Sequence, residues 1–214
     1  MTRKLREPIN AITHLSGAVF FFLGTIVMLA YQLVHESSLL KVTGGLVFGT
    51  SLVLLYLASG IYHSYDGREQ VIKVLKKLDH SMIYVLIAGS YTPMCLQVLD
   101  GSKRIVILTI IWGIVIVGVL TKVFVQGIPR PVYTLFYLLM GWMVVFFIKD
   151  VYEGLPLGGF SLLALGGVLY TTGGIIYMVK KPNLGLEFGF HELFHVFILA
   201  GSFSHYLMIF LYLS

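Results

Sequence analysis

Seven apolar runs, each long enough to cross a bilayer, divide this chain and leave little sequence between them. A membrane-spanning helix takes about 17–25 mostly apolar residues, because its backbone polar groups must be satisfied inside the segment. The runs are Leu15–Val34, Val42–Tyr62, Met82–Leu99, Ile105–Thr121, Val132–Ile148, Leu157–Val179 and Phe190–Leu213. The expected architecture is all-α: a polytopic bundle of seven transmembrane helices forming one domain over residues 1–214, with sequence neighbours packed as antiparallel pairs. Charged residues are 12% of the chain against 57% hydrophobic, where a soluble domain carries about 25% charged. The net charge of +5 is therefore read as juxtamembrane Lys and Arg meeting anionic lipid heads, and nucleic acid is not expected as a partner. Cys95 is the only cysteine, which excludes an intramolecular disulfide and a CxxC metal motif. Met1–Glu7 is basic, but the run after it is too long for a signal-peptide core and ends in no small-residue cleavage site, so it reads as the first membrane helix.

Orientation follows from the distribution of basic residues. One side receives Arg3, Lys4, Arg6, Arg68, Lys73, Lys76, Lys77, Lys122, Arg130, Lys180 and Lys181, eleven of the fifteen; the other holds Lys41, Lys103, Arg104 and Lys149. The N-terminus is expected in the cytoplasm and the C-terminus outside. Gly127-Ile128-Pro129-Arg130-Pro131 is a breaker between the fourth and fifth runs. Gly158-Gly159, Gly166-Gly167 and Gly173-Gly174 form a stripe on the sixth that suits close helix approach. Trp142 and the tyrosines near run ends are assigned to the interfacial belt.

Ionisable groups inside spans are costly and so mark candidate sites. His191 and His195 stand four residues apart on one helix face, a metal-ligand spacing. His63 closes the second run with Ser59 one turn deeper, and Asp79 is placed at the start of the third helix. The topology brings all five to one membrane depth. Zinc suits this set, since three protein ligands and a water make its open, catalytic arrangement. Asp79 is then the acceptor for the proton of a metal-bound water or holds that water by a hydrogen bond, and Ser59 a donor to the water, to Asp79 or to an oxyanion. The alternative is a set of interfacial caps, with Asp79 capping the third helix and His63 facing headgroups. His191-Glu192-x-x-His195 also matches the zinc-protease motif, in which Glu192 is the general base; Glu192 equally suits a helix start, where negative charge meets the dipole. His205 is too far along the last helix to share the ion and is expected to bond Ser202 or Ser204 or to line a cavity above it. His14 is assigned a structural use, with a place supporting the metal ligands as the alternative, and His35 and His80 no role.

The constellation Ser59-x3-His63, Asp79 and His191-x3-His195, over the second, third and seventh of seven helices, resembles the haemolysin III family, bacterial relatives of the progestin and adipoQ receptors. Ala58-Ser59-Gly60-Ile61-Tyr62-His63, Leu78-Asp79-His80-Ser81, Ile87-Ala88-Gly89-Ser90-Tyr91-Thr92-Pro93, His195-Val196-Phe197-Ile198-Leu199-Ala200-Gly201-Ser202 and Glu7-x2-Asn10-x3-His14 carry the likeness along essentially the whole length. The resemblance implies a seven-helix bundle with its N-terminus inside, a Zn²⁺ held by His63, His191 and His195, and Asp79 and Ser59 around the metal-bound water. The wider superfamily includes alkaline ceramidases, which implies cleavage of a lipid amide or ester. The long soluble N-terminal region of the animal receptors has no counterpart before the first run, so ligand sensing of their kind is not expected.

The expected function is thus a zinc-dependent hydrolase of lipid acyl amides or esters in the bacterial plasma membrane, its substrate a membrane lipid inside the bundle, or else a membrane-lipid homeostasis factor. The alternatives are a haemolysin acting on host membranes and an HExxH intramembrane metalloprotease. The first sits badly with a compact seven-span chain that lacks long amphipathic segments.

Overall fold

A computed structural model describes residues 5–125, 127–185 and 188–214. Arg3 and Lys4, which entered the charge count, lie outside the described residues. The described chain is helical almost throughout, with no strand, and seven of its segments are long and apolar enough to cross a membrane. The helices are α1 (Pro8–Val34), α2 (Leu39–Ser64), α3 (Glu69–Val98), α4 (Gly101–Phe124), α5 (Arg130–Gly141), α6 (Ile148–Gly154), α7 (Leu157–Val179) and α8 (Phe190–Tyr212). The fifth span, Arg130–Gly154, is composite: α5, a 3-10 stretch Trp142–Phe147, then α6.

Local chemistry explains several ends. Pro8 opens α1, where its missing N–H costs nothing. The Ser38 hydroxyl accepts from Lys41 N at the start of α2. Glu69 lies in the first turn of α3 and pairs with Lys73 one turn on. This polar first portion makes α3 begin well before the apolar run at Met82. Asp79 is therefore ten residues inside a helix and does not cap it, contrary to the sequence expectation. Hydropathy locates the part of a helix that meets hydrocarbon, and the backbone continues past it wherever a polar face can meet water or headgroups.

The fifth span breaks because a side chain enters its hydrogen-bond ladder. The Tyr91 hydroxyl of α3 donates to Gly141 O at 2.6 Å and accepts from Val144 N at 2.9 Å. It thereby takes over backbone groups that an unbroken α-helix would pair internally. Trp142 lies at this break, in the middle of the span, and its indole N–H donates to Thr171 of α7 at 3.0 Å. It is not an interfacial belt residue.

Helices α1 to α4 pack in sequence order, but α5 packs on α7 and α3 rather than on α4. The antiparallel-neighbour expectation thus fails at the Gly127–Pro131 breaker, which carries the chain past α4. Helix α4 commits its buried residues Ile111, Val115 and Gly118 to the bundle, and Gly118 lets the Tyr84 ring of α3 lie against its backbone. The ring of spans closes where α8 meets α1, α2 and α3. The glycine stripe works as expected: a Cβ at Gly158, Gly166 or Gly173 would run into Tyr212, His205 or Phe197 of α8. Gly167 is different, with open space where a Cβ would be.

Candidate metal centre and its cavity

The last turn of α2 and the first turns of α8 bring three histidines together. The ring nitrogens available from His63, His191 and His195 lie within 4.8 Å of one another. The His63 ring is edge-on to both others, at 5.1 and 4.8 Å between centroids. His63 is fully buried and His195 nearly so, which removes the headgroup-facing alternative for His63. Each leaves a buried nitrogen without a hydrogen-bond partner, Nε2 of His63 and Nδ1 of His195. Orphaned buried nitrogens are costly unless something binds them. A zinc ion about 2.0–2.1 Å from each imidazole would satisfy the set, so the donor chemistry fits this metal.

A network at the start of α1 orients these rings. His63 Nδ1 donates to Glu7 Oε2 at 2.6 Å, which leaves its Nε2 lone pair turned to the other histidines. The Glu7 backbone N–H donates to His63 O at 3.0 Å, fixing the same contact a second way. The His63 hydrogen bond, with Asn10 and Arg6 assisting, holds the Glu7 carboxyl down at about 2 against the opposing effect of burial. The Asn10 amide donates to Glu7 Oε2 at 3.3 Å and to Glu192 Oε1 at 2.8 Å, tying α1 to α8. Glu192 Oε2 in turn accepts from Gly189 N at 2.8 Å and so caps its own helix. Both Glu192 oxygens are committed, so the residue functions as a cap and a link. Glu7 and Asn10 carried no role in the sequence reading. Their i, i+3 spacing with His14 at i+7 puts all three on one helix face, and that was the available signal.

Asp79 and Ser59 line one cavity together with His191, His195 and His14. The cavity has a volume of about 540 Å³ and its walls are mainly apolar, from Leu55 and Ile83 to Phe160 and Ile198. Ser59 is buried, and Asp79 is partly accessible along the cavity wall. His14 stacks on His195 at 3.7 Å with both of its own nitrogens unpartnered, closer to the cluster than a purely structural residue would need to be. His205 lines the far part of the cavity and contacts Leu163 O of α7 at 3.3 Å. It bonds neither Ser202, which is shared between the Tyr56 and Tyr170 hydroxyls, nor Ser204, which donates to Leu162 O. Trp142, Val145 and Ile148 of the fifth span and Val168 and Thr171 of α7 also line the cavity; the first three and Val168 are exposed on the bundle exterior as well. The cavity wall thus reaches the lipid-facing surface between these spans.

A seven-span bundle with a buried histidine cluster at one end of an apolar cavity defines a class of integral membrane protein, and sequence comparison gives it a family. Residues 2–206 match the haemolysin-III-related family, and the chain belongs to it. It is 40% identical to the Hemolysin-3 of Bacillus cereus, over 94% of this chain and 90% of that protein. It is 37% identical to the Hemolysin-3 homolog of Bacillus subtilis (strain 168), over 96% and 93%. A more distant likeness, 22% identity, extends to the adiponectin receptor protein of Drosophila melanogaster, over 94% of this chain and 49% of that protein. These relatives and the seven apolar helices make the chain a multi-pass bacterial membrane protein.

Proposed function

We propose that this protein is a zinc-dependent hydrolase of an acyl amide or ester bond in a membrane lipid. The observation that carries the reading is the convergence of three imidazoles, two of them buried, with a carboxyl and a hydroxyl at one end of a largely apolar cavity. His63, His191 and His195 would hold the ion, which when bound supplies a Lewis acid that polarises a carbonyl and acidifies water. Glu7 keeps His63 in the tautomer that presents Nε2. Asp79 takes the proton from the attacking water and passes it to the leaving amine or alcohol, while Ser59 steadies the water or the charge developing on the carbonyl oxygen. The apolar walls exclude bulk water from these steps and accept the acyl chain, which enters from the bilayer between the fifth span and α7. With nine of the thirteen basic residues among the described ones at the N-terminal end of the bundle, the cluster is assigned to the cytoplasmic face. The hydrogen bonds of Glu192 to Gly189 and Asn10 favour a capping role over that of a protease's general base.

The test is fatty-acid release from short-chain ceramides and lysolipids by the purified, zinc-loaded protein. Asp79→Asn and His195→Ala are expected to remove the release. Stoichiometric zinc without cleavage of any of these lipids would overturn the enzymatic reading.

A further inference from the structure

Three cations stand around the mouth of the cavity at the N-terminal end of the bundle. Lys76 and Arg130 line the cavity directly. Lys122 stands behind two other lining residues, its Nζ 3.3 Å from the centroid of the Tyr133 ring and 3.5 Å from His80 Nδ1. The Arg130 guanidinium lies 4.4 Å from the Tyr177 ring centroid and 5.4 Å from that of Phe190, and its one hydrogen bond among the described residues goes to Tyr177 O at 3.4 Å. Among the described residues none of the three pairs with a carboxylate within salt-bridge distance. Arg6 and Lys73, at the same end, do have such partners. Asp79 and Glu7 are the carboxyls among the lining residues, and Glu7 is paired with Arg6 and His63, so the three cations outnumber the carboxyl left to face them even before a metal is counted.

Ordinary interfacial cations reach out to headgroups on flexible stems. Lys122 and Arg130 instead lie against aromatic faces, which fixes their direction and partly desolvates them. Arg130 keeps most of its five donors unused, in the planar array that matches phosphate oxygens. Below this charged mouth the walls become apolar along Ile83, Leu86, Ile87 and Leu163. The site therefore has a cationic head end and a hydrocarbon end.

We propose that the cavity takes a single-chain amphiphile with a phosphate head, the phosphate held by Lys76 and Arg130 with Lys122 adding positive charge from behind the wall, and the chain lying along the apolar wall. This rests on the reading of the cavity as a lipid site but not on turnover, so it is measured as binding. Purified full-length protein in a neutral detergent is titrated calorimetrically with dodecyl phosphate, with its neutral counterpart 1-dodecylglycerol, and with inorganic phosphate. Dodecyl phosphate should bind at least about tenfold tighter than either of the others, the worth of one charge-assisted hydrogen bond or more. Arg130→Gln should remove about tenfold of that affinity and Lys122→Gln, which removes a charge from behind the wall, about threefold; both should leave the neutral amphiphile unaffected, which also reports an intact fold. Lys76 is exposed, so Lys76→Gln keeps the test available should the variants at the half-buried Lys122 and Arg130 fail to fold; it should lose severalfold. Lys180→Gln removes an exposed cation outside the cavity lining and should change nothing. His63→Ala, which dismantles the metal centre, should keep the preference for dodecyl phosphate, so absence of hydrolysis and absence of phosphate recognition read out separately. Equal binding of the two amphiphiles overturns the proposal. So does an equal loss in Lys180→Gln, which marks a general surface potential. Inorganic phosphate binding as tightly marks a free-ion site, and loss of the preference in His63→Ala puts the phosphate on the metal; either result also overturns it.

Discussion

The contact between Glu7 and His63 shows how much of a site can depend on a residue outside the spans. A carboxylate bonded to the far nitrogen of a ligating imidazole fixes the ring and raises its basicity, and losing it typically costs about 10–100-fold in metal affinity. Glu7→Gln should show such a loss in a zinc-competition titration, with the helical content of the bundle unchanged. Glu192→Gln is a different case, because Glu192 caps α8 and holds Asn10. It should leave lipid hydrolysis nearly intact, measured as fatty-acid release beside Asp79→Asn; a loss as large as that of Asp79→Asn would restore Glu192 as the base. The sequence was informative about ligands because histidine at i and i+4 has few cheap explanations in a membrane helix. It said less about Glu7 and Asn10, since a Glu and an Asn before an apolar run look like any helix start. Their partners, His63 and Glu192, are brought near only by the tertiary fold.

At the scale of elements, the broken fifth span and the glycine face of α7 make separate predictions. Tyr91→Phe removes the hydroxyl bonded to Gly141 O and Val144 N and leaves two backbone groups to find new partners. A destabilisation of about 1–3 kcal/mol is expected, read as a lower unfolding temperature in detergent. Gly166→Leu should separate α7 from α8, because even a Cβ there meets the His205 ring, whereas Gly167→Ala meets nothing within 4 Å and should be tolerated. Unfolding temperatures of the two variants side by side check this contrast. The spans and the glycine stripe were legible because hydrocarbon length and close approach leave repeating marks in sequence. The 3-10 stretch was not, since Trp142–Phe147 reads WMVVFF, as apolar as any α-helical run, and what unwinds it is a tyrosine on another helix. The extension of α3 to Glu69 escaped for the opposite reason: it is helix without being hydrophobic.

For the molecule as a whole, the histidine cluster joins α2 to α8, and the Glu7–Asn10–Glu192 chain adds α1. An ion bound there stabilises the folded bundle by mass action, about 4 kcal/mol when free zinc exceeds its dissociation constant a thousandfold. Chelation should therefore lower the unfolding temperature of the native protein, and the same chelator should leave His63→Ala unchanged. An equal shift in both would place the stabilising ion elsewhere. The overall architecture and the meeting of the three histidines were within reach of the sequence, because membrane topology restricts where distant segments can meet. The order of packing was not, since nothing local says that α5 passes α4 to reach α7. The tie between α1 and α8 also bears on biogenesis. Ribosomal synthesis runs from the N-terminus at about 5–20 residues per second, so His63 is made on the order of ten seconds before His191. Through that interval Glu7, Asn10 and His63 are in the membrane without the helix that completes their network. A nascent chain stalled before Phe190 has no closed cluster, and any ligand that needs all three histidines can be taken up only once the last span has been inserted.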